Sequence, residues 1–284
     1  MERGDVFTRI NREYYQLTGA EKKIADYILL RRQECQFMSI SEMAEVVEVA
    51  EATVSRFCRR LGYKGYSAFK LAVAGAGAGE RPVNPLYGEI VAEDSVSEMC
   101  RKLCAADVDA ITQTLAAIDP AAVTAAADML LAADRVFCMG LGGSAILAKG
   151  AVHLFSTALP NFYSVDDPHD QAVRTALLTR RDAILYFSYS GSTRDMVELL
   201  GMARERGVGI VLATRFPRSP GAALADIVLE CGAKEGPLQM GSVAVRMGQF
   251  FLIDVLFNEM CRRDMEKYRE RRKQVADALA DKHL

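Results

Sequence analysis

The sequence predicts two domains, a helical domain followed by an α/β domain with a mostly parallel, doubly wound sheet. Between residues 135 and 230, short apolar runs alternate with stretches of helical periodicity, the pattern of parallel strands joined by helices. The first 61 residues hold amphipathic helical patterns without such runs. From 74 to 79 alanine and glycine alternate, which leaves no bulk to build a core. We therefore place an all-α domain at 1–74, a flexible linker at 75–94 and the α/β domain at 95–284.

Composition and charge are those of an ordinary globular protein. Of the 284 residues, 50% are hydrophobic and 25% are charged, and the net charge of −2 favours no class of partner. No segment reaches the ~18 uncharged apolar residues of a membrane-spanning helix, and the first residues lack an apolar signal core. The seven scattered cysteines form no C-x-x-C pair, which favours reduced thiols over disulfides or a metal site. We expect a cytoplasmic protein that holds no cofactor or metal and binds no membrane.

The N-terminal domain contains two short helices joined by a tight turn. Helical patterns cover 6–16 and the segment after Thr18, and Ser39 opens a short helix through Val47. Thr18 and Ser39 are each followed three residues later by glutamate, the spacing of a capping box. Only three residues separate the helix that ends at Val47 from the next, at 51–61. This arrangement is the helix-turn-helix pattern.

The second of these two helices carries a basic, hydroxyl-rich face. Val54, Phe57, Cys58 and Leu61 form its apolar side, and no acidic residue occurs from Ala52 to Gly79. Arginine and lysine neutralise DNA phosphates, and short polar side chains contact base edges. The alternative is an ordinary solvated basic face, but the helix pair favours DNA. The candidate DNA contacts are Thr53, Ser55, Arg56, Arg59, Arg60 and Lys64.

The α/β domain is predicted element by element from apolar periodicity. A long helix at 95–118 and a helix from Asp119 to about 131 precede the sheet. Strands are predicted at 135–139, 161–165, 183–187, 208–213 and 227–230, with helices at 145–157, 171–178 and 194–206. The last helix, 240–264, is too apolar for a one-sided surface helix and is expected to pack on the sheet and on a second subunit. We expect His153 to pack in the core and the charged tail from Glu266 to fray.

A polar turn follows the most apolar predicted strand. Ser188-Tyr-Ser-Gly-Ser-Thr193 stands between the strand at 183–187 and the helix at 194–206. Hydroxyls can donate to phosphate oxygens, and the free N–H groups and dipole of a helix N-terminus favour an anion. Gly191 lets the backbone approach such a ligand closely. An ordinary helix-capping turn is the alternative for this segment taken alone.

A second polar turn makes the phosphate hypothesis stronger. Gly140-Leu-Gly-Gly-Ser144 follows the strand at 135–139, so both turns are expected at the carboxyl edge of one sheet, where such sheets bind ligands. Position 145 is alanine, so the dinucleotide pattern G-x-G-x-x-G is absent. His169 and Glu235 lie in polar segments and are candidates for the rim, with plain solvation as the alternative. The candidate phosphate-binding residues are Gly143, Ser144, Ser188, Tyr189, Ser190, Gly191, Ser192 and Thr193.

These motifs resemble two known domains. The two polar turns, with Ile210-Val-Leu-Ala-Thr214 and the loop after it, resemble the sugar isomerase (SIS) domain over about 120–262. Met38-Ser-Ile-Ser-Glu-Met-Ala44 and Ala52-Thr-Val-Ser-Arg-Phe-Cys-Arg-Arg-Leu-Gly-Tyr63 resemble the N-terminal domain of RpiR/MurR-family transcription regulators. So do Leu17-x4-Lys22-Lys-Ile-Ala-Asp-Tyr-Ile28 and Gly65-Tyr-Ser-x-Phe-Lys70. That family joins this domain to a C-terminal SIS domain, so both halves agree.

The resemblance implies a regulator rather than an enzyme. It implies a homodimer or tetramer that binds duplex DNA and responds to a phosphorylated sugar or sugar acid at the SIS domain. An aldose–ketose phosphosugar isomerase with a helical appendage is the alternative, with Glu235 as a possible base. A third hypothesis is a phosphosugar-binding partner of another protein. The family commonly has Gly-Val-Ser where this chain has Glu48-Val-Ala50, so we expect a strained or rebuilt turn and a weaker helix cap.

Overall fold

The computed structural model describes residues 6–32, 34–77, 90, 93–233 and 242–280, and the chain divides into two compact units. The helical unit holds the chain up to Ala106, and the sheet unit holds Asp107–Ala233 and the chain from Val243 onward. The division falls inside a helix, Val96–Ala117, and not at the boundary of 94 and 95 that the sequence predicts. Within the described residues no single helix is long and apolar enough to cross a bilayer; only the bent pair Val96–Ala117 and Pro120–Ala132 has that length and composition.

The helical unit is built from short helices around one apolar core. Its helices are α1 (Val6–Glu13), α2 (Gly19–Leu30), α3 (Ile40–Val46), α4 (Glu51–Arg60) and α5 (Tyr66–Gly77), followed by the start of α6 (Val96–Ala117). Both predicted capping boxes are present, at Thr18 with Glu21 and at Ser39 with Glu42. Ile10, Ile24 and Phe57 are completely buried in the core. Residues 75–77, assigned to the linker, continue α5 instead, because Val73 and Ala74 are buried and carry the helix onward.

The sheet unit contains a five-stranded parallel sheet in the order β2-β1-β3-β4-β5. The strands are β1 (Arg135–Gly140), β2 (Phe162–Val165), β3 (Asp182–Phe187), β4 (Gly209–Thr214) and β5 (Ile227–Glu230). The helices are α7 (Pro120–Ala132), α8 (Gly143–Phe155), α9 (Pro168–Ala176), α10 (Arg194–Glu205), α11 (Val243–Cys261) and α12 (Met265–Ala280). Every predicted strand is present, and the predicted α/β class is confirmed.

Alternate side chains of β1 enter two separate cores, which is the basis of the doubly wound arrangement. Val136 and Cys138 pack with residues of α7, α8 and α11, whereas Phe137 and Met139 pack with residues of α10. A strand buried on both faces needs an uninterrupted apolar sequence, as β1 and β3 have. In the register of these two strands Gly140 pairs with Phe187. The turns that follow β1 and β3 therefore emerge side by side at the carboxyl edge of the sheet.

The amino edge of the sheet is held by an ion pair. Asp182 is buried and accepts from Arg135 Nε at 2.8 Å and from Nη2 at 2.9 Å. These hydrogen bonds from Arg135 hold the pKa of the Asp182 carboxyl below its usual value, against the effect of burial. The paired charges fasten the starts of β1 and β3 and leave the opposite edge to the two turns.

Three expectations about the sheet unit are wrong in detail. Within the described residues the charged tail does not fray: up to Ala280 it forms α12, with Tyr268 buried and Arg271 donating to the Ala158 carbonyl at 3.1 Å. His153 is exposed on α8, because the core face of that helix is already filled by Leu147, Ala151 and Phe155. His169 lies in the first turn of α9 and not in a loop, since Asp167 caps this helix earlier than predicted.

Candidate functional site

The turn after β3, residues 188–193, is held by its own hydroxyls and is called the serine turn below. Ser188 Oγ accepts from the Gly191 N–H at 3.2 Å, and Ser190 Oγ accepts from the Ser192 N–H at 3.3 Å. Both hydroxyls act here as acceptors, so each keeps a hydrogen that it can donate to a ligand. Thr193 is the N-cap residue of α10 but makes no capping bond with its side chain. The turn is thus preformed, and donors at the helix N-terminus remain for an anion.

Gly191 is required at this turn for two reasons. Its φ of +58° lies in the left-handed region, and a Cβ built on it would lie 2.0 Å from Ser219 Oγ. Its carbonyl accepts from the Gly221 N–H at 2.8 Å. The serine turn therefore packs tightly on the loop after β4, which fixes its backbone.

The turn after β1, residues 140–144, is called the glycine turn below. Gly142 is the N-cap of α8 with a φ of +55°, and Ser144 lies half-buried in the first turn of that helix. Buried Gln171 fastens this turn: its Nε2 donates to the Gly140 carbonyl at 2.9 Å and to the Val165 carbonyl at 2.8 Å. Gln171 was missed from the sequence, because one amide in a polar stretch gives no signal of its own.

A second residue that sequence reasoning missed is Arg246, in the first turn of α11. A Cβ built on Gly143 would lie 2.6 Å from Arg246 Nη2, so the guanidinium lies directly against the glycine turn. The preceding residue, Val245, packs in a cluster with Tyr189 of the serine turn. The start of α11 therefore contacts both turns. The only sequence signal was the position of this arginine near the start of the predicted last helix, 240–264.

Of the predicted rim residues, the structure describes only His169. It lines a cavity of about 340 Å³ together with Leu141 of the glycine turn and with Asp195 and Glu198 of α10. Two carboxylates in that lining make it unsuited to a phosphate. Glu235 lies outside the described residues. Among those described, no three histidine, cysteine or carboxylate side chains lie close enough together to hold a metal ion.

In the helical unit, the turn between α3 and α4 keeps the left-handed geometry despite its sequence. Glu48 has a φ of +54°, the only positive value at a non-glycine position among the described residues. Ala50 is the N-cap of α4 and provides no side-chain hydrogen bond. The Glu48 carboxylate lies 3.4 Å from Lys23 Nζ, an exposed ion pair of little energetic value. Of the two outcomes expected for Glu48-Val-Ala50, a strained or a rebuilt turn, the structure therefore shows the strained one, with the strain at Glu48.

The predicted DNA contacts separate into two groups. Arg56, Arg59 and Lys64 are exposed, and Thr53 and Ser55 are half-buried on α4. Arg60 instead donates to Glu21 Oε2 at 3.2 Å and to the Gln16 carbonyl at 2.7 Å. Burial raises the pKa of the Glu21 carboxyl, but hydrogen bonds from Thr18 and the charge of Arg60 outweigh it and lower the pKa. Arg60 thus has a structural partner, whereas the other basic residues face solvent.

These two halves define a class: a helix-turn-helix protein joined to an α/β domain with two polar turns at one sheet edge. Comparison with known families agrees. The model of the helix-turn-helix domain of the rpiR family matches residues 4–80, and the SIS domain model matches residues 129–259.

The relatives extend this agreement to the whole chain. An uncharacterised HTH-type transcriptional regulator of Caldanaerobacter subterraneus is 32% identical over 253 residues, covering 89% of each chain. HexR of Escherichia coli, an HTH-type transcriptional regulator, is 29% identical over 279 residues, covering 98% of this chain and 95% of HexR. The Vibrio vulnificus NanR protein complexed with ManNAc-6P has a TM-score of 0.88 at 26% identity, covering 98% of this chain and 99% of NanR. The chain belongs to the RpiR family of helix-turn-helix transcriptional regulators with a SIS domain.

Proposed function

We propose that this regulator senses a phosphorylated sugar or sugar acid at the carboxyl edge of its sheet and changes its binding to duplex DNA in response. The observation that carries the proposal is the preformed serine turn at the N-terminus of α10. In this proposal the phosphate is held by the hydroxyls of Ser188, Ser190 and Thr193 and by the N–H groups at the start of α10. Tyr189, Gly191 and Ser192 fix the shape of the turn, and Gly143 and Ser144 of the adjacent turn lie beside the ligand. The complex of the related NanR with ManNAc-6P supports this class of ligand.

We place DNA recognition on α4. Thr53 and Ser55 would contact base edges, and Arg56, Arg59 and Lys64 would contact phosphates. Arg60 would contribute indirectly, because its hydrogen bonds to Glu21 and to the Gln16 carbonyl hold α4 in place. The exposed part of its side chain can also contact DNA. A steep fall of DNA affinity with salt is expected from several phosphate contacts.

A chain of contacts within the sheet unit offers a route from the serine turn to α6. The Tyr189 hydroxyl donates to the Ala233 carbonyl at 2.9 Å. Gly232, the residue before Ala233, donates its N–H to Thr114 Oγ1 of α6 at 3.0 Å. The helix α6 begins in the helical unit and ends in the sheet unit. A shift of the serine turn would therefore displace α6, the helix that follows the DNA-binding domain in the chain. The effector must favour one of two arrangements, or it shifts nothing.

The proposal is tested with Ser188→Ala/Ser190→Ala in the full chain. A thermal-shift screen of sugar phosphates first identifies a ligand, since saturation at about a hundred times Kd adds about 2.7 kcal/mol of stability. In the double variant we expect that stabilisation and the ligand's effect on DNA binding to disappear. Ser156→Ala is the matched control, because Ser156 is exposed and its hydroxyl only donates to the His153 carbonyl. An intact effector response in the double variant would contradict the proposal.

The isomerase alternative predicts turnover. Isomerisation needs a base next to the substrate carbon. The two turns consist of serine, threonine and glycine residues with Leu141 and Tyr189, and contain no carboxylate or imidazole. We therefore propose that the chain is not an enzyme. Incubation with aldose and ketose phosphates should leave them unchanged while the same ligands alter DNA binding. Conversion of one into the other would favour the isomerase.

A further inference from the structure

The position of Arg246 indicates what lies at the other end of the ligand. Its guanidinium occupies the space that any side chain at Gly143 would need, because a Cβ there would lie 2.6 Å from Nη2. Gly143 is the first residue of α8, so the cation lies at the N-terminus of a helix, the end at which the helix dipole favours negative charge. Two independent features of the structure therefore favour negative charge at the glycine turn.

This charge is separate from the phosphate donors of the serine turn. The serine turn offers only neutral hydroxyls and N–H groups, and the nearby Arg194 and Arg215 are paired with Glu198 and Glu230. Arg246 forms no ion pair within the described part of the chain and is half-exposed. A planar guanidinium matches a carboxylate through two parallel hydrogen bonds.

We propose that the effector is a phosphorylated sugar acid, with its phosphate at the serine turn and its carboxylate on Arg246 at the glycine turn. The first turn of α11 spans both positions, since Val245 packs with Tyr189 while Arg246 reaches Gly143. One small ligand can thus contact both turns and α11 at once. This inference rests on the proposed function, because it assumes that the serine turn holds the phosphate.

Matched ligand pairs test the carboxylate directly. A phosphorylated aldonate and the phosphorylated alditol of the same carbon chain differ only in COO⁻ against CH₂OH, as in 6-phosphogluconate and glucitol 6-phosphate. Calorimetry on the full chain with four-, five- and six-carbon pairs should show the acid of the best pair binding at least tenfold more tightly. Loss of a charged hydrogen bond costs about 10- to 100-fold in affinity. Equal affinity within every pair would overturn the proposal.

Two variants then locate the effect. Arg246→Gln should lower the affinity for the acid by about 10- to 100-fold and that for the alditol by less than about threefold. Arg246→Lys keeps the positive charge but lacks the two parallel N–H donors of the guanidinium. It should therefore retain part of the difference in affinity between acid and alditol. An equal loss for acid and alditol in Arg246→Gln would place Arg246 on the phosphate or in the fold, and would overturn the proposal.

The two proposals fail differently. If neutral phosphosugars bind through Ser188 and Ser190 but no acid is preferred, only the carboxylate assignment is wrong. If no sugar phosphate of either kind binds, both the phosphate site and the carboxylate assignment are wrong. The midpoint of thermal unfolding without ligand, compared with that of the unaltered protein, checks that the Arg246→Gln variant is folded.

Discussion

At the scale of single residues, Glu48 is where this chain departs from its family's pattern. A side chain in the left-handed region costs about 1 kcal/mol relative to glycine, because its Cβ crowds the neighbouring backbone. Two residues later, Ala50 leaves the N-terminus of α4 without a side-chain acceptor. Both departures fall on the turn that presents α4 to DNA, so they weaken the element that the proposed function depends on.

Glycine at position 48 should stabilise this turn. We expect Glu48→Gly to raise the opening free energy of the α3 and α4 amides by about 1 kcal/mol. Ala50→Ser should add about 1 kcal/mol by restoring the cap. Hydrogen exchange on the full chain measures both, since it reports each unit separately.

The control for the first change is Glu48→Gln. It removes the charge opposite Lys23 but keeps a side chain in the left-handed turn. We expect no gain from it, because an exposed ion pair contributes at most about 1 kcal/mol. Equal stabilisation by glutamine and glycine would show that the charge, and not the backbone, was the source of the cost.

At the scale of elements, the sequence was informative where one rule decides the structure. Buried parallel strands need uninterrupted apolar runs, so β1 and β3 were predicted almost to the residue. Capping boxes located the starts of α2 and α3. α12 could not be predicted in the same way, because its many charges hide the single buried residue, Tyr268, that attaches it to the core.

The candidate site likewise contains some residues that local sequence patterns predict and others that they do not. The serine and glycine turns were predictable, because each follows an apolar strand and precedes a helix in the sequence. Gln171 and Arg246 were not, since they come from α9 and α11 and reach the turns only through tertiary packing. Whether the predicted residues hold a phosphate stays a prediction, tested by the serine variants.

Thr114 is the point where α6 meets the segment after β5. Its hydroxyl accepts from the Gly232 N–H and donates to the Ala110 carbonyl at 2.8 Å, and it lies against Gly248 of α11. We expect Thr114→Val to keep effector affinity within about threefold but to reduce the effect of the effector on DNA binding. The variant keeps the shape and leaves the buried Gly232 N–H without its acceptor, which costs about 1–3 kcal/mol.

Two titrations separate these outcomes: effector binding by calorimetry, and DNA binding with and without saturating effector. Thr112→Val is the matched control, because Thr112 is an exposed threonine on the same helix that bonds only to the Val108 carbonyl. A full DNA response in Thr114→Val would remove this route from the proposed mechanism.

At the scale of the whole molecule, the effector can act only through a difference between two arrangements of the regulator. A coupling of 1–3 kcal/mol corresponds to a 5- to 150-fold change in DNA affinity, so small shifts at the serine turn are sufficient if they favour one arrangement. Reciprocity requires that DNA change the affinity for the effector by the same factor. In a dimer, two copies of α4 would bind two half-sites of the operator. The change in DNA affinity would then be larger, since the effector alters both contacts together.

We propose that the second copy associates through the outer face of α11. This helix buries Leu252, Ile253 and Leu256 on its own sheet, yet Val243, Met247 and Phe250 remain 64%, 37% and 38% exposed at helical spacing. Such a stripe on a long apolar helix is typical of a contact between subunits. The proposed homodimer would also supply the two helix-turn-helix units that a symmetric operator requires.

Met247→Asp should therefore shift the protein toward monomer in sedimentation velocity, because a carboxylate buried in an apolar interface loses its hydration without gaining a partner. DNA affinity should fall with it, and the slope of log affinity against log salt should become about half as steep, since one unit contacts half as many phosphates. Leu279→Asp on α12 is the control: Leu279 is 47% exposed and lies on another helix. If Met247→Asp sediments like the unaltered protein while Leu279→Asp dissociates, the subunit contact lies on α12 and not on α11.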